Sequence, residues 1–72
     1  MNANTNSGTY TTVNSSTSIT VAMESVSHII EHVSNDTAKP DSTTWIHFQS
    51  GKSVHVDAPY KDVQRTFIAS LN

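Results

Sequence analysis

Apolar side chains alternate with other side chains on both sides of a glycine turn in the second half of the chain. Ile46 and Phe48 alternate before the turn, Val54 and Val56 alternate after it, and Gly51 lies between them. Period-two alternation flanking a glycine turn is typical of a β-hairpin. Placing all four apolar side chains on one face requires an odd number of loop residues. We therefore predict a three-residue loop with Gly51 in the left-handed conformation.

The hairpin leads directly into a helix that we predict over residues 57–71. Asp57 or Ala58 would cap it, Pro59 suits its first turn, and Asp62 complements the helix dipole there. Its apolar face should pack on the inner side of the hairpin. That face consists of Tyr60, Val63, Phe67 and Leu71, with Ile68 beside them.

Three segments precede the hairpin. Residues 17–22 alternate and predict a first strand, and residues 23–27 form a short connection with room for one helical turn. Residues 27–33 fit either a strand or an amphipathic helix, and their β-branched content favours the strand. Residues 34–42 carry the Asn-Asp and Pro-Asp signals of a loop.

The first 18 residues form a polar segment without a charged side chain. It is rich in Asn, Ser and Thr, and only Tyr10 and Val13 could anchor it. Such a segment buries too little apolar area to order alone, so it is either a flexible tail or an arm that orders against another chain. Its threonine-rich part has strand propensity and suits addition to an open sheet edge of a neighbour.

These patterns predict an α+β fold. We expect a small antiparallel sheet of three to four strands with one C-terminal helix, preceded by an extended N-terminal arm. The arm comprises residues 1–18 and the β-rich domain residues 19–72. On this division, a chain without residues 1–15 should stay folded but lose its partner.

Size and composition point to a chain that completes its fold against something else. The chain has 72 residues, no cysteine and only 35% apolar residues, so its core is small and has no disulfide to support it. Its four scattered basic residues and net charge of −2 argue against nucleic-acid binding. It lacks an apolar run for a membrane span and the pattern of a signal peptide, so we expect an intracellular or virion-associated protein.

Four histidines are the main candidates for chemistry: His28, His32, His47 and His55. His28 and His32 share a face whether residues 27–33 form a strand or a helix. His47 and His55 can sit opposite each other across the hairpin. A metal site, a pH-sensitive interface and a simple polar face are all open. We predict no metal and no cofactor. A Ser-His-Asp set exists on paper, but Ser50 would lie at a solvent-exposed hairpin tip, so we predict no enzyme.

Trp45 is the strongest candidate for contact with a partner. If Ile46 and Phe48 face the helix, Trp45 and His47 face away from it, with His55 alongside. Tryptophan is enriched at binding hot spots. Alternatively the arm or the first strand covers this face and makes Trp45 part of the core. The predicted partner interface consists of Tyr10, Val13, Trp45, His47 and His55.

Residues 26–67 resemble a known pattern. They combine a Val-Ser-His-Ile strand, the hairpin Thr-Trp-Ile-His-Phe-Gln-Ser-Gly-Lys-Ser-Val-His-Val, and a Tyr-Lys-Asp-Val-Gln-Arg-Thr-Phe helix. This order resembles the small β-meander-plus-helix proteins of the flagellar and swarming-motility regulator type, and many short phage proteins. A neutral arm before a tiny β-domain departs from the motility family and is similar to small virion proteins that cement or decorate a capsid or tail.

The resemblance implies a structural or interaction protein without catalytic residues. Its most concrete form is a small phage virion cement, decoration or minor structural protein whose N-terminal arm docks on neighbouring subunits. The partner would be another protein or further copies of the chain. The alternative is a small regulator that binds a protein or a nucleic acid.

Overall fold

The computed structural model describes residues 7–34 and 42–71. Within them, six main elements and one 3₁₀ turn follow each other along the chain. They are β1 (Ser7–Thr11), β2 (Ser18–Ala22), the 3₁₀ turn Met23–Ser25, β3 (Val26–Val33), β4 (Ser42–Phe48), β5 (Ser53–Val56) and α1 (Tyr60–Ser70). The predicted α+β class with a C-terminal helix is confirmed. Residues 1–6 of the predicted arm and most of the predicted loop lie outside the described residues.

The strands form two antiparallel sheets rather than one. β3, β4 and β5 make a three-stranded sheet with β4 in the centre, and β1 pairs with β2 in a separate hairpin. The ambiguous segment before the loop is therefore a strand, as favoured from its β-branched content. Ile29 faces Ile46 across the β3–β4 ladder, and the register shifts once, between Val26 and His28.

The β4–β5 turn has the predicted three-residue loop. The Phe48 N–H donates to the Lys52 carbonyl at 2.8 Å and the Gly51 N–H donates to the Phe48 carbonyl at 2.9 Å. Gly51 has φ +96°, in the region that favours glycine. Ile46 faces Val54 across the ladder, as the apolar pattern requires.

A threonine completes the inner face of this hairpin. Val56 faces Thr44, which is fully buried, instead of another apolar residue. The Thr44 Oγ1 donates to the Ala58 carbonyl at 3.0 Å. This bond satisfies the buried hydroxyl and ties the strand to the connection that leads into α1.

The N-terminal segment pairs with this chain's own strands over its described part. β1 runs antiparallel to β2 and then continues along the free edge of β5. The Val13 N–H donates to the His55 carbonyl at 3.0 Å, and the Asp57 N–H donates to the Thr11 carbonyl at 2.7 Å. Residues 11–13 thus occupy a sheet edge within the same chain. A chain without residues 1–15 would lose this pairing, so we expect the deletion to lower stability; whether the domain still folds stays a prediction.

The helix packs on the inner face of the sheet and buries fewer of its apolar side chains than predicted. Val63 is fully buried and Phe67 packs against the core in part, whereas Ile68 is 49% exposed and Leu71 is 68% exposed. Leu71 lies beyond the last helical residue, which explains its exposure. The remaining core side chains come from the strands and the 3₁₀ turn. They are Val21, Met23, Val26, Ile46 and Val56.

The helix start also differs from the prediction. The capping residue is Pro59 rather than Asp57 or Ala58, and it has no side chain to accept a hydrogen bond. The Tyr60 N–H instead donates to Ser42 Oγ on β4 at 3.3 Å. A hydroxyl distant in sequence therefore replaces the local cap, which a scan for capping motifs does not detect.

Tyr10 belongs to the core side of β1. Its side chain packs against the core cluster, facing Ile19 across the ladder. The ring lies over Gly8, where any Cβ would overlap the ring atoms. The Tyr10 Oη is buried and has no hydrogen-bond partner among the described residues. The aromatic ring, and not the hydroxyl, therefore carries its contribution to stability.

Replacing Gly51 with alanine should lower the free energy of unfolding by about 1–2 kcal/mol, the usual cost of a left-handed backbone for an L-residue. A Cβ at this position meets no atom within 4 Å, so the loss is conformational and not steric. Urea denaturation measures it. Ser50→Ala, one residue away, is the control and should change stability by less than about 0.5 kcal/mol. Equal midpoints for Gly51→Ala and the wild type would contradict the turn assignment.

Two substitutions at Tyr10 should have opposite consequences. Tyr10→Ala should destabilise the fold by roughly 2–4 kcal/mol, because it removes a large ring from the core side of β1. Tyr10→Phe should leave stability unchanged or raise it, because it removes a buried hydroxyl without a partner in the described structure. Thermal melts of both variants test this. A clear loss in Tyr10→Phe would show that the hydroxyl has a bonding partner.

Candidate partner-binding face

The three-stranded sheet has one face turned away from α1, and this outer face gathers the residues of chemical interest. Alternation along β4 sends Thr44, Ile46 and Phe48 into the core, so the intervening residues point outward. The cross-strand register then places the outward residues of β3 and β5 beside them. The outer face consists of His28, Ile30, His32, Thr43, Trp45, His47, Ser53 and His55.

A stack of Trp45 on His55 is the central feature of the outer face. The two residues face each other across the β4–β5 ladder, with ring centroids 4.4 Å apart and planes at 14°. His55 Nε2 lies 2.7 Å from Thr43 Oγ1, and His32 meets the His55 ring edge-on at 5.4 Å. Thr43 and His32 thus hold the His55 ring, on which the indole stacks.

His28 and His47 form a second stack. They face each other across the β3–β4 ladder, with ring centroids 4.6 Å apart and planes at 6°. His28 Nδ1 is also 3.2 Å from Ser27 Oγ. The prediction that His47 and His55 sit opposite each other is wrong, because His47 faces Ser53 and His55 faces Trp45. The hairpin register accounts for the difference.

The histidines do not form a metal centre in the described structure. They make one stacked pair and one edge-on pair, His28 with His47 and His32 with His55. A protein zinc site needs three or four ligands. In residues 7–34 and 42–71, no group of three or more His, Asp or Glu side chains could hold a metal ion. The arrangement instead provides flat ring surfaces that a partner side chain can stack on.

The predicted interface residues separate into two groups. Trp45, His47 and His55 lie together on the outer face, and Val13, 41% exposed, lies beside the His55 backbone. Tyr10 lies apart from them, against the core.

Three further residues of β3 lie on the outer face but are not among the predicted interface residues. Ile30, which faces Trp45 on the neighbouring strand, is 47% exposed. His28 and His32 lie on the same strand and the same face. The alternation of β3 predicts that these three side chains share a face. Placing that face beside Trp45 requires the register between β3 and β4.

The outer face carries no lysine, arginine or carboxylate side chain, and its electrostatics depend on the histidines. Burial lowers the pKa of His55, and the neighbouring His32 lowers it further, while Asp57 acts in the opposite direction. His55 therefore favours the neutral form that stacks on Trp45.

An open groove of about 550 Å³ lies at the end of the β4–β5 hairpin. It is lined by Glu24, Ser25, Phe48, Gln49, Ser50, Lys52 and Ser53. None of these lining residues is a histidine, so Ser50 has no imidazole beside it to act as a base.

Comparison with known proteins gave no match, since no family model, no curated protein and no solved structure is significantly similar to the chain. The resemblances described from the sequence remain predictions. In the described ranges, no helix has the length and hydropathy needed to cross a membrane.

Lowering the pH should weaken the fold through His55. Its pKa in the folded chain lies below the ordinary value of 6.5, so the unfolded chain binds the proton more readily. The contribution of His55 to stability is therefore fully present above pH 6.5. It is lost as the pH falls from 6.5 toward the pKa of His55 in the folded chain.

Urea midpoints at neutral and mildly acidic pH test this effect. His55→Gln, which keeps a polar side chain but cannot titrate, should lose less stability than the wild type over the same change. Trp45 fluorescence should follow the same titration in the wild type. Identical pH dependence in the two proteins would rule out His55 as the group responsible.

Proposed function

We propose that this chain is a non-enzymatic interaction protein that binds a protein partner through the outer face of its three-stranded sheet. The observation that carries the proposal is the Trp45–His55 stack. It lies on a face that no described element covers, because α1 and the β1–β2 hairpin contribute their apolar residues to the opposite side.

The outer face has the features of a binding hot spot. A large ring that is already held in place loses little side-chain entropy when a partner docks. Trp45 is half-buried and held by His55, which in turn contacts Thr43. Ile30 adds exposed apolar surface directly beside the indole. A protein surface with an apolar centre and hydrogen-bonding groups around it would complement this arrangement.

Charge favours a protein partner over a nucleic acid. Phosphate backbones are bound by clustered basic residues, and the outer face has none. Lys52 lies after the hairpin loop, while Lys61 and Arg65 lie on α1, which packs against the other side of the sheet. A regulator that stacks bases on Trp45 remains the second candidate, since aromatic rings can bind single strands.

The most concrete form of the proposal is a structural role in an assembly, as a small phage virion cement, decoration or minor structural protein. Two features support it. The described core contains only six buried apolar side chains, so covering the outer face would add burial that a small domain lacks. The chain also has few charges, 14% of its residues, as suits a subunit surrounded by other protein. On this proposal the protein is intracellular or virion-associated.

Trp45→Ala should reduce partner binding roughly tenfold or more, because it removes the anchor of the face. The measurement is a pull-down. The immobilised chain is exposed to an extract of the cells or particles in which it is made, and the partner proteins that it retains are quantified. Thr20→Ala, on the exposed side of β2, is the matched control and should bind like the wild type.

Salt and melting data complete this experiment. Retention that survives high salt supports an apolar protein interface, whereas retention that salt and nuclease abolish supports the nucleic-acid candidate. Melting curves of both variants show whether the sheet is intact. Equal partner retention by folded Trp45→Ala and wild type would overturn the proposal.

A further inference from the structure

The two edges of the three-stranded sheet differ. The β5 edge is occupied by residues 11–13 of the same chain. The opposite edge is formed by β3, the longest strand, with eight residues. In residues 7–34 and 42–71, β3 pairs only with β4. An open edge of this length is a template for another strand.

The register identifies which backbone groups of β3 face this edge. Backbone groups along a strand point alternately to its two neighbours. The Phe48 N–H bonds to β5, so the alternate β4 residues 43, 45 and 47 direct theirs to β3. Their partners on β3 are residues 32, 30 and 28. The remaining groups, those of Ile29, Glu31 and Val33, therefore point outward along the open edge.

The side chains of this edge include a single charge that could oppose pairing. Natural edges are protected by lysine, proline or inward-pointing charges. Between Val26 and Val33 the only charged residue is Glu31, which is exposed on the core-facing side of the strand opposite Thr44, and neither lysine nor proline occurs. The one irregularity, at Ser27, lies at the start of the strand and leaves residues 28–33 in regular register.

We propose that two copies of the chain pair through β3 in antiparallel orientation, about a two-fold axis at Ile30. The outward groups allow two central registers. Centring on Glu31 would place Glu31 opposite its copy, and like charges directly opposite each other are destabilising. Centring on Ile30 places Ile30 against Ile30 and pairs Ile29 of one copy with Glu31 of the other. The second register joins the exposed apolar residues and separates the carboxylates.

The resulting dimer has one continuous six-stranded sheet. Paired residues share a face, so the two outer faces join, with His28 of one copy opposite His32 of the other. Ile30, 47% exposed in the single chain, becomes buried at the centre. This pairing goes beyond the proposed function, since it uses the edge of the sheet and does not require the outer face to bind anything.

Single cysteines test the register, because the chain has no cysteine of its own. In the proposed register Ile30 and its copy form a non-hydrogen-bonded pair, with Cβ atoms about 4.5–5.5 Å apart, within small adjustments of disulfide geometry. Ile30→Cys should therefore form a covalent dimer rapidly under mild oxidation. His32→Cys alone should not, whereas a mixture of His28→Cys and His32→Cys should form the mixed dimer.

A second test removes one outward donor while leaving the backbone hydrogen bonds of the β3–β4 ladder in place; the only β3–β4 contact it removes is the hydrogen bond from Ser42 Oγ to the Glu31 carboxylate. Glu31→Pro eliminates an N–H that faces the open edge, so the chain should stay folded but lose the dimer. Glu31→Gln keeps this N–H and should remain dimeric. Sedimentation equilibrium gives the mass, and circular dichroism confirms the fold.

The two tests separate this proposal from the partner-binding face. A monomeric wild type at high concentration, or Ile30→Cys that oxidises no faster than Thr9→Cys on β1, would overturn the dimer. Either result would leave Trp45-dependent binding as a separate question. If Glu31→Pro unfolds, the cysteine experiment alone decides.

Discussion

The strict alternation of β4 is the constraint on which the rest of the structure depends. This central strand places Thr44, Ile46 and Phe48 on one side and Trp45 and His47 on the other. The first side builds the core with Val63 of the helix, and the second side builds the outer face. A one-residue slip would exchange the two sides completely, because side chains alternate with period two. The buried Thr44–Ala58 bond and the Gly51 turn both oppose such a slip.

The fold-forming part of this arrangement could be predicted from local sequence. The Gly51 turn, the alternation around it, and the helix after Pro59 are all short-range signals, and each appears in the structure. The β3 strand could be favoured over a helix from its β-branched residues. What could not be predicted depends on contacts between distant segments. The bond from Tyr60 to Ser42 and the pairing of Val13 with His55 join residues far apart in sequence.

The same distinction applies to the candidate site. Trp45, His47 and His55 could be placed on one face because the hairpin determines their orientation. His28, Ile30 and His32 required the β3–β4 register, which a bulge near Val26 shifts by one residue. Tyr10 was assigned to the interface as one of two side chains that could anchor the polar segment, yet tertiary packing places its ring on the core. One aromatic residue in a polar segment gives no indication of which side it will occupy.

His55 joins the N-terminal segment to the outer face. Its carbonyl accepts the Val13 N–H, so it anchors the N-terminal segment, while its ring stacks on Trp45. A partner that docks on the indole would hold the His55 ring, and with it the β5 edge to which residues 11–13 are bonded. If the proposed partner binds there, its contact with the His55 ring would also favour the pairing of residues 11–13 with β5.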